Sequence, residues 1–303
     1  MPAKPFGVEF GITLPGAGPL ATSDALMAVA TLAESLGFAS VWVTDHIAIP
    51  EHTRSLYPYS ADRKAPWQPN IPYLDALTVL GWVGAVTRTI RLGTSVLILP
   101  LRPPLAVAKT VGTLDHLTGG RVVLGVGAGW LEEEFDLLGQ PFHNRGRRMR
   151  EAIRILKACW GGDPVGFEGE LYRLAPFGMD PKPPQGARLP ILSGGESDAA
   201  LRRVAEVCDG WHPLNVTPDQ VAEGLERLRG FMAGARRSMA DLWLIVRPGR
   251  NIPLTPDLAD RYGALGVRML VADVDYRSST LPEALVHIAR LAKTLRLSSV
   301  PVS

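Results

Sequence analysis

One pattern constrains this chain more than any other. Short apolar runs alternate with longer amphipathic stretches from one end to the other. The runs are "VEFGITLP", "SVWVTD", "IRLGTSVLILP", "RVVLGVGAG", "LPILSGG", the very short "DGWHPL", "LWLIVRP" and "VRMLVAD". Each is followed by a segment with helical periodicity, such as "SDALMAVATLAESLGF", which offers Ser23 as an N-cap and Gly37 as a stop. Mostly non-alternating apolar strands are buried on both faces, which means a parallel sheet covered by helices. Eight such units predict an α/β fold closed as a (β/α)8 TIM barrel, with an open doubly wound sheet as the alternative. The 303 residues then form one domain, 1–303, carrying insertions. These are a Pro-rich loop from about Ile49 to Pro72, a hairpin at "VGFEGELYRL", the irregular "APFGMDPKPPQGA", and a helical zone from Glu132 to Trp160 broken near Gly139 and Pro141.

Composition removes several function classes. Thirty-two basic and 30 acidic residues leave a formal charge of +2, and no basic run is interleaved with aromatics, so neither nucleic acid nor an anionic membrane is expected as partner. No apolar stretch spans a bilayer, and "MPAKPFGVEFGITLP" lacks the apolar core of a signal peptide. The two cysteines, Cys159 and Cys208, make no CxxC and no disulfide framework, which fits a reduced, cytoplasmic setting. The six histidines show no metal-ligand spacing, and there is no GxSxG elbow or Walker loop.

In a barrel, chemistry belongs where strands exit, at their carboxyl ends. Asp45 and His46 end the second strand, an acid and an imidazole where apolar residues have been running, and His46 is read as a proton carrier. Thr94 and Ser95 put small polar groups inside an apolar strand, either bonding to backbone carbonyls or letting a flat ligand approach. The glycines of "GVGAGW" permit a tight turn, though without GxGxxG spacing. Glu132, Glu133 and Glu134 read most simply as carboxylates at a helix N-terminus. Ser193, Gly194 and Gly195 open a helix whose first N–H groups suit a phosphate, with Ser197 as its cap.

Together these stretches resemble the luciferase-like monooxygenase superfamily, and within it the oxidoreductases that use the deazaflavin coenzyme F420. The likeness is carried by "LAESLGFASVWVTDH", "TRTIRLGTSVLILPLRPPLAVAKTVGTLDHLTGGRVVLGVGAGWLEEEFDLLG", "NRGRRMREAIRILKACW", "PKPPQ" and "ILSGGESDAALRRVAEVCDGWHP". It runs from about residue 7 to 215 and is most specific between Thr87 and Gly139; the last third matches only in its βα rhythm. The resemblance implies a barrel, often homodimeric, with the ring of the cofactor at the strands' carboxyl ends. By motif position it implies that Asp45 hydrogen-bonds the cofactor and that His46 faces the ring. Thr94, Ser95 and Val96 would lie behind the ring, with a bulge and a non-prolyl cis peptide at Ser95–Val96. Gly127, Ala128 and Gly129 would run beside it, and Ser193, Gly194, Gly195 and Glu196 would form the phosphate-proximal turn. Two positions depart from the pattern: Trp130 stands where some members carry a glutamate, and Arg150 where many carry an acid.

The expected activity is hydride transfer between F420 and a small organic substrate held under the Ile47–Tyr73 loop, where Trp67 and Tyr73 line a pocket or pack in the core. The rivals are a flavin mononucleotide (FMN)-dependent monooxygenase served by a reductase, a cofactor-free barrel hydrolase or lyase, and a non-catalytic flavin-binding barrel.

Overall fold

The computed structural model describes residues 5–60, 62–65, 68–250 and 252–298. Its elements follow the predicted alternation: β1 (Glu9–Thr13), α1 (Ser23–Ser35), β2 (Ser40–Val43), α2 (Ala76–Val86), β3 (Arg91–Thr94), β4 (Leu97–Ile98), α3 (Pro104–Thr118), β5 (Val122–Gly127), α4 (Glu132–Leu137) and α5 (Arg145–Gly161). Then come β6 (Val165–Glu168), β7 (Arg173–Phe177), β8 (Ile191–Ser193), α6 (Asp198–Val207), β9 (Gly210–Trp211), α7 (Pro218–Gly234), β10 (Trp243–Val246), α8 (Pro256–Ala264), β11 (Met269–Ala272) and α9 (Leu281–Thr294). β6 and β7 form the predicted hairpin, and the helical zone is broken into α4 and α5 where expected.

The remaining strands are parallel in the order β3-β2-β1-β11-β10-β9-β8-β5-β4, and β3 also pairs with β5, which closes the sheet. β3 and β4 are one strand interrupted at Ser95–Val96, so the barrel is eight-stranded. The expected single strand "IRLGTSVLILP" is thus corrected: it divides at a bulge whose peptide bond is cis, and its last residues form a 3-10 turn. A smaller correction concerns α1, which is capped by the Thr22 hydroxyl accepting from the Ala25 amide (3.3 Å), not by Ser23.

Side-chain alternation explains why the strands look uniformly apolar. Val41 and Val43 pack outward against helices, and Trp42 points into the barrel with Val123, Leu192, Ile245, Met269 and Val271. Trp42 is too large for a filled barrel unless its neighbours shrink. They do: a β-carbon on Gly93, directly across from it in β3, would lie 2.3 Å from its ring. Its indole N–H is satisfied by Ser40 Oγ (2.7 Å).

Among the described residues no helix is long and apolar enough to cross a membrane, and no three His, Cys, Asp or Glu side chains are grouped to hold a metal. Cys159 and Cys208 are both buried thiols.

Candidate active site

The strand exits converge on two hydrogen-bonded groups. The first follows β2. His46 is buried, and its Nδ1 lies 2.7 Å from Glu134 Oε2. Glu134, on α4, is fully buried, and its other oxygen accepts from the amides of Ile47 (2.7 Å) and Ala48 (3.2 Å). A carboxylate that accepts two amides is acceptor-only toward the imidazole, so Nδ1 carries a hydrogen and Nε2 is the ring's basic nitrogen. Tyr73 and Trp130 meet the imidazole edge-to-face, with centroids 5.5 and 6.2 Å away. Tyr57 continues this aromatic wall from Trp130 (5.1 Å). Tyr73 is further fixed by its hydroxyl, which donates to Thr44 Oγ1 (2.8 Å). Trp67 lies outside the described residues.

The acidic start of α4 therefore does more than complement a helix dipole. Glu133 accepts from the amides of Arg54 (2.5 Å) and Ser55 (3.1 Å), so two successive glutamates clamp the loop that leaves β2. Burial alone would raise the Glu133 carboxyl, but these hydrogen bonds bring it down to about 2.

Asp45 points the other way from His46, as adjacent residues on an extended chain do. Its carboxylate is nearly fully buried and bidentate with Arg102 (2.7 and 2.8 Å), and it accepts from the Ile98 amide (2.9 Å). Both oxygens are thus engaged within the protein, holding β4 and the turn after it to the end of β2.

The second group surrounds the bulge. Thr94 donates to the Gly125 carbonyl (2.7 Å). Ser95 Oγ lies 2.8 Å from His212 Nε2, and His212 Nδ1 lies 2.8 Å from the Ile245 carbonyl. The carbonyl fixes the tautomer: Nδ1–H donates to it, and Nε2 accepts from the serine hydroxyl. Arg247 Nη1 donates to Ser95 Oγ and Ser95 O (both 3.2 Å), and its other face pairs with Asp273 (2.5 Å). His212 also stacks on Trp42 (5.0 Å, 28°). Three strand exits, β9, β10 and β11, thus support one serine.

Burial pushes the His212 imidazole down to about 4. A histidine held neutral in the fold contributes stability above its unfolded value of ~6.5, and that contribution is lost as pH falls. The unfolding midpoint in urea is expected to decline between about pH 6.5 and 4, and a His212→Asn protein to show a flatter decline across that window. Parallel curves would remove His212 from the pH response.

The glycines after β5 have a reason other than ligand approach. A β-carbon on Gly127 would lie 2.6 Å from Val96 Cγ2, and one on Gly129, which has φ +83°, would lie 2.7 Å from Phe135. Val96 also sits against Gly194. The bulge is seated on backbone from β5 and from the turn after β8. In that turn Ser193 is buried, its hydroxyl donating to the Gly194 carbonyl (3.1 Å). Gly195 is left-handed (φ +95°), and Ser197 caps α6 as expected. Glu196 accepts from the Leu214 amide (3.1 Å), and burial raises its carboxyl. Ala128 lies half-buried between Gly127 and Gly129. At the departure noted above, Arg150 pairs with Glu206 (2.7 Å).

Four of these residues escaped the sequence reading: Glu134 in its orienting role, His212, and the Arg247–Asp273 pair. A histidine directly after the very short strand Gly210–Trp211 was the available signal for His212.

A closed barrel with its polar groups gathered at the carboxyl ends of the strands, around an interrupted third strand, defines the class. Comparison with known proteins defines the family: residues 8–250 match the model of the luciferase-like monooxygenases, and the chain belongs to that family. An uncharacterized protein of Mycobacterium tuberculosis is 39% identical over 201 residues, covering 66% of this chain and 69% of its own. A putative coenzyme F420-dependent oxidoreductase of the same organism is 39% identical over 204 residues (63% and 58%). An FMNH2-dependent dimethylsulfone monooxygenase of Pseudomonas putida is 35% identical over 144 residues (46% and 39%). Among solved structures, an F420-dependent secondary alcohol dehydrogenase superposes with a TM-score of 0.72 at 16% identity, covering 95% of this chain and 99% of that one.

Proposed function

We propose that this protein is an oxidoreductase that passes hydride between a deazaflavin of the F420 type and a small organic substrate. The observation that carries the reading is the His46–Glu134 pair, a buried imidazole whose basic nitrogen is defined by its carboxylate partner. The relative described as a putative F420-dependent oxidoreductase supports the choice of cofactor.

The residues present suit such a group. Tyr57, Tyr73, Trp130 and His46 give the barrel mouth an aromatic wall, and beside the β5 exit Arg203 Nε is buried without an acceptor among the described residues, which suits an oxyanion. The deazaflavin, when bound, supplies the two-electron redox chemistry. The protein supplies position and a proton. The bulge at Ser95–Val96, with Gly127, Ala128 and Gly129 beside it, would back the ring, and the turn Ser193–Glu196 would face its phosphate. Asp45 acts through Arg102 and Ile98 to keep β4 in place. His46 Nε2 takes or gives the proton that accompanies hydride transfer, and Glu134 steadies the imidazolium that forms.

A second reading, an FMN-dependent monooxygenase, is favoured by the dimethylsulfone monooxygenase relative. Titration of the purified protein with F420 and with reduced FMN, followed by fluorescence, separates the two. Micromolar or tighter binding of F420 with weak binding of FMN is the expected result. The reverse order overturns the first reading in favour of the second.

A further inference from the structure

A cavity between α9 and the segment that leaves β10 carries charge that the proposed reaction does not use. Its volume is about 240 Å3. Sites for drug-sized molecules occupy roughly 300–1,000 Å3, so this one suits a smaller guest. One wall is a single stripe of α9: His287, Arg290, Leu291 and Thr294 follow the i, i+3, i+4, i+7 spacing of one helix face. Another wall comes from residues 248–250 and 252–254, and β11 contributes Val271 and Ala272, with Asp273 just beyond its end.

The side chains of α9 are distributed against the usual amphipathic pattern. Val286 (58% exposed) and Ala289 stand on an open side of the helix, while His287, Arg290 and Thr294 line the cavity. Neither Arg290 nor His287 makes a side-chain hydrogen bond or an ion pair among the described residues. Arg250, the second guanidinium here, reaches Asp275 only at 3.7 Å, and that Asp275 oxygen already accepts from the amides of Arg277 (3.0 Å) and Ser278 (3.3 Å). Asp273 is the one carboxylate among the lining residues, and it is committed elsewhere: its Oδ1 accepts from both Arg247 Nε (3.1 Å) and Nη2 (2.5 Å). Two guanidinium groups and an imidazole therefore share a concave site with little negative charge to meet them. Beside them lies the apolar surface of Ile252, Leu254 and Leu291.

The wall after β10 is stiff. Pro248 and Pro253 fix their own φ angles. Gly249 is left-handed (φ +93°), the Ile252 amide donates to its carbonyl (3.2 Å), and a β-carbon on it would collide with the Asn215 side chain. The bend is thus specified by residue type, and the cavity beside it is preformed.

We propose that this cavity is a second ligand site, distinct from the barrel mouth, for a small carboxylate with an apolar body. Arg290 holds the acid group, with Arg250 and His287 beside it, since a guanidinium matches a carboxylate in both charge and geometry. Leu254 and Leu291 take the hydrocarbon. None of the residues assigned above to the cofactor or to proton transfer lines this site. Asp273 connects the two regions: it lines the cavity and, through Arg247, supports Ser95 Oγ (3.2 Å).

Hexanoate is the probe, titrated calorimetrically into the protein at constant ionic strength, with hexanamide as its neutral counterpart. Wild type is expected to bind one hexanoate saturably, and hexanamide at least tenfold more weakly. Arg290→Met should weaken hexanoate at least tenfold and leave hexanamide unchanged. Thr294→Phe, which fills the cavity, should weaken both. Arg290 and Thr294 are exposed on α9, so both variants should melt as wild type does. Location is read separately: the nitrogen-15 ring resonances of His287, identified by their absence from His287→Gln, should shift as hexanoate saturates the protein. No binding by wild type, equal affinities for hexanoate and hexanamide, or an undiminished affinity in Arg290→Met each overturn the proposal. Binding that leaves the His287 resonances unmoved places hexanoate elsewhere and overturns it as well. No cofactor enters the experiment, so its outcome is independent of the reading of the barrel mouth.

Discussion

His46→Ala is expected to lower turnover by roughly 10²–10⁴-fold, the usual range for losing a positioned acid–base group, while cofactor affinity changes little. The sharper test lies one residue away from the chemistry. Glu134 now gives one oxygen to the amides of Ile47 and Ala48 and the other to His46 Nδ1. In Glu134→Gln the amides keep the carbonyl oxygen, and the new NH2 group faces Nδ1. Nδ1 must then accept, and the ring hydrogen moves to Nε2. The protein would be nearly isosteric but would present a donor where it had presented an acceptor. Nitrogen-15 spectra of the histidine ring should report the exchanged tautomer, and kcat should fall with little change in KM for the cofactor. A purely structural role for Glu134 predicts lower stability with an unchanged tautomer, and that result would remove it as a positioning residue. Unchanged turnover in His46→Ala would remove the proton role altogether.

The fold was legible because burial on both faces leaves a plain mark in sequence. A run such as "SVWV" has no polar side to show, and its repetition along the chain points to helices on one side and a filled barrel on the other. The division of the third strand was not legible from pattern, since Thr94, Ser95 and Val96 suit an unbroken strand; the resemblance supplied the bulge, and the structure places a cis bond at Ser95–Val96. The site divides along the same line. His46 announced itself by following an apolar run. Glu134 did not, because three glutamates at a helix start have a sufficient explanation in the helix dipole, and nothing local says that the third turns inward to meet a residue 88 positions earlier. His212, Arg247 and Asp273 converge from separate strands on Ser95. Such convergence depends on barrel closure, and spacing along the chain does not encode it. Asp45 shows the converse: its position was legible, but the commitment of its carboxylate to Arg102 depends on a side chain 57 positions away.

The largest expected loss of stability comes from a single methyl group. In Gly125→Ala the new β-carbon would lie 2.1 Å from the Thr94 carbonyl oxygen, a backbone atom that no rotamer change can move. Gly125 is inside β5 and paired with Leu192 of β8, so it cannot retreat without breaking that register. The strain must therefore fall on Thr94 and on the bulge that begins one residue later. A cost of about 3 kcal/mol or more is expected, at the upper end of overpacking effects, equivalent to a fall of roughly 5 °C or more in Tm for a chain of this size. Because Thr94 precedes Ser95, the Ser95–His212 bond should weaken as well, and cofactor affinity should fall with stability. Gly81→Ala is the control. Gly81 is an exposed position in the interior of α2 with nothing within 4 Å of its would-be β-carbon, and alanine there should be neutral or stabilising by up to about 1 kcal/mol. Denaturant midpoints of the two variants against wild type make the comparison. A Gly125→Ala protein with a wild-type midpoint would show that the bulge is not clamped between β5 and β8. An intact midpoint with lost cofactor affinity would instead move the role of this glycine from packing to the approach of a ligand.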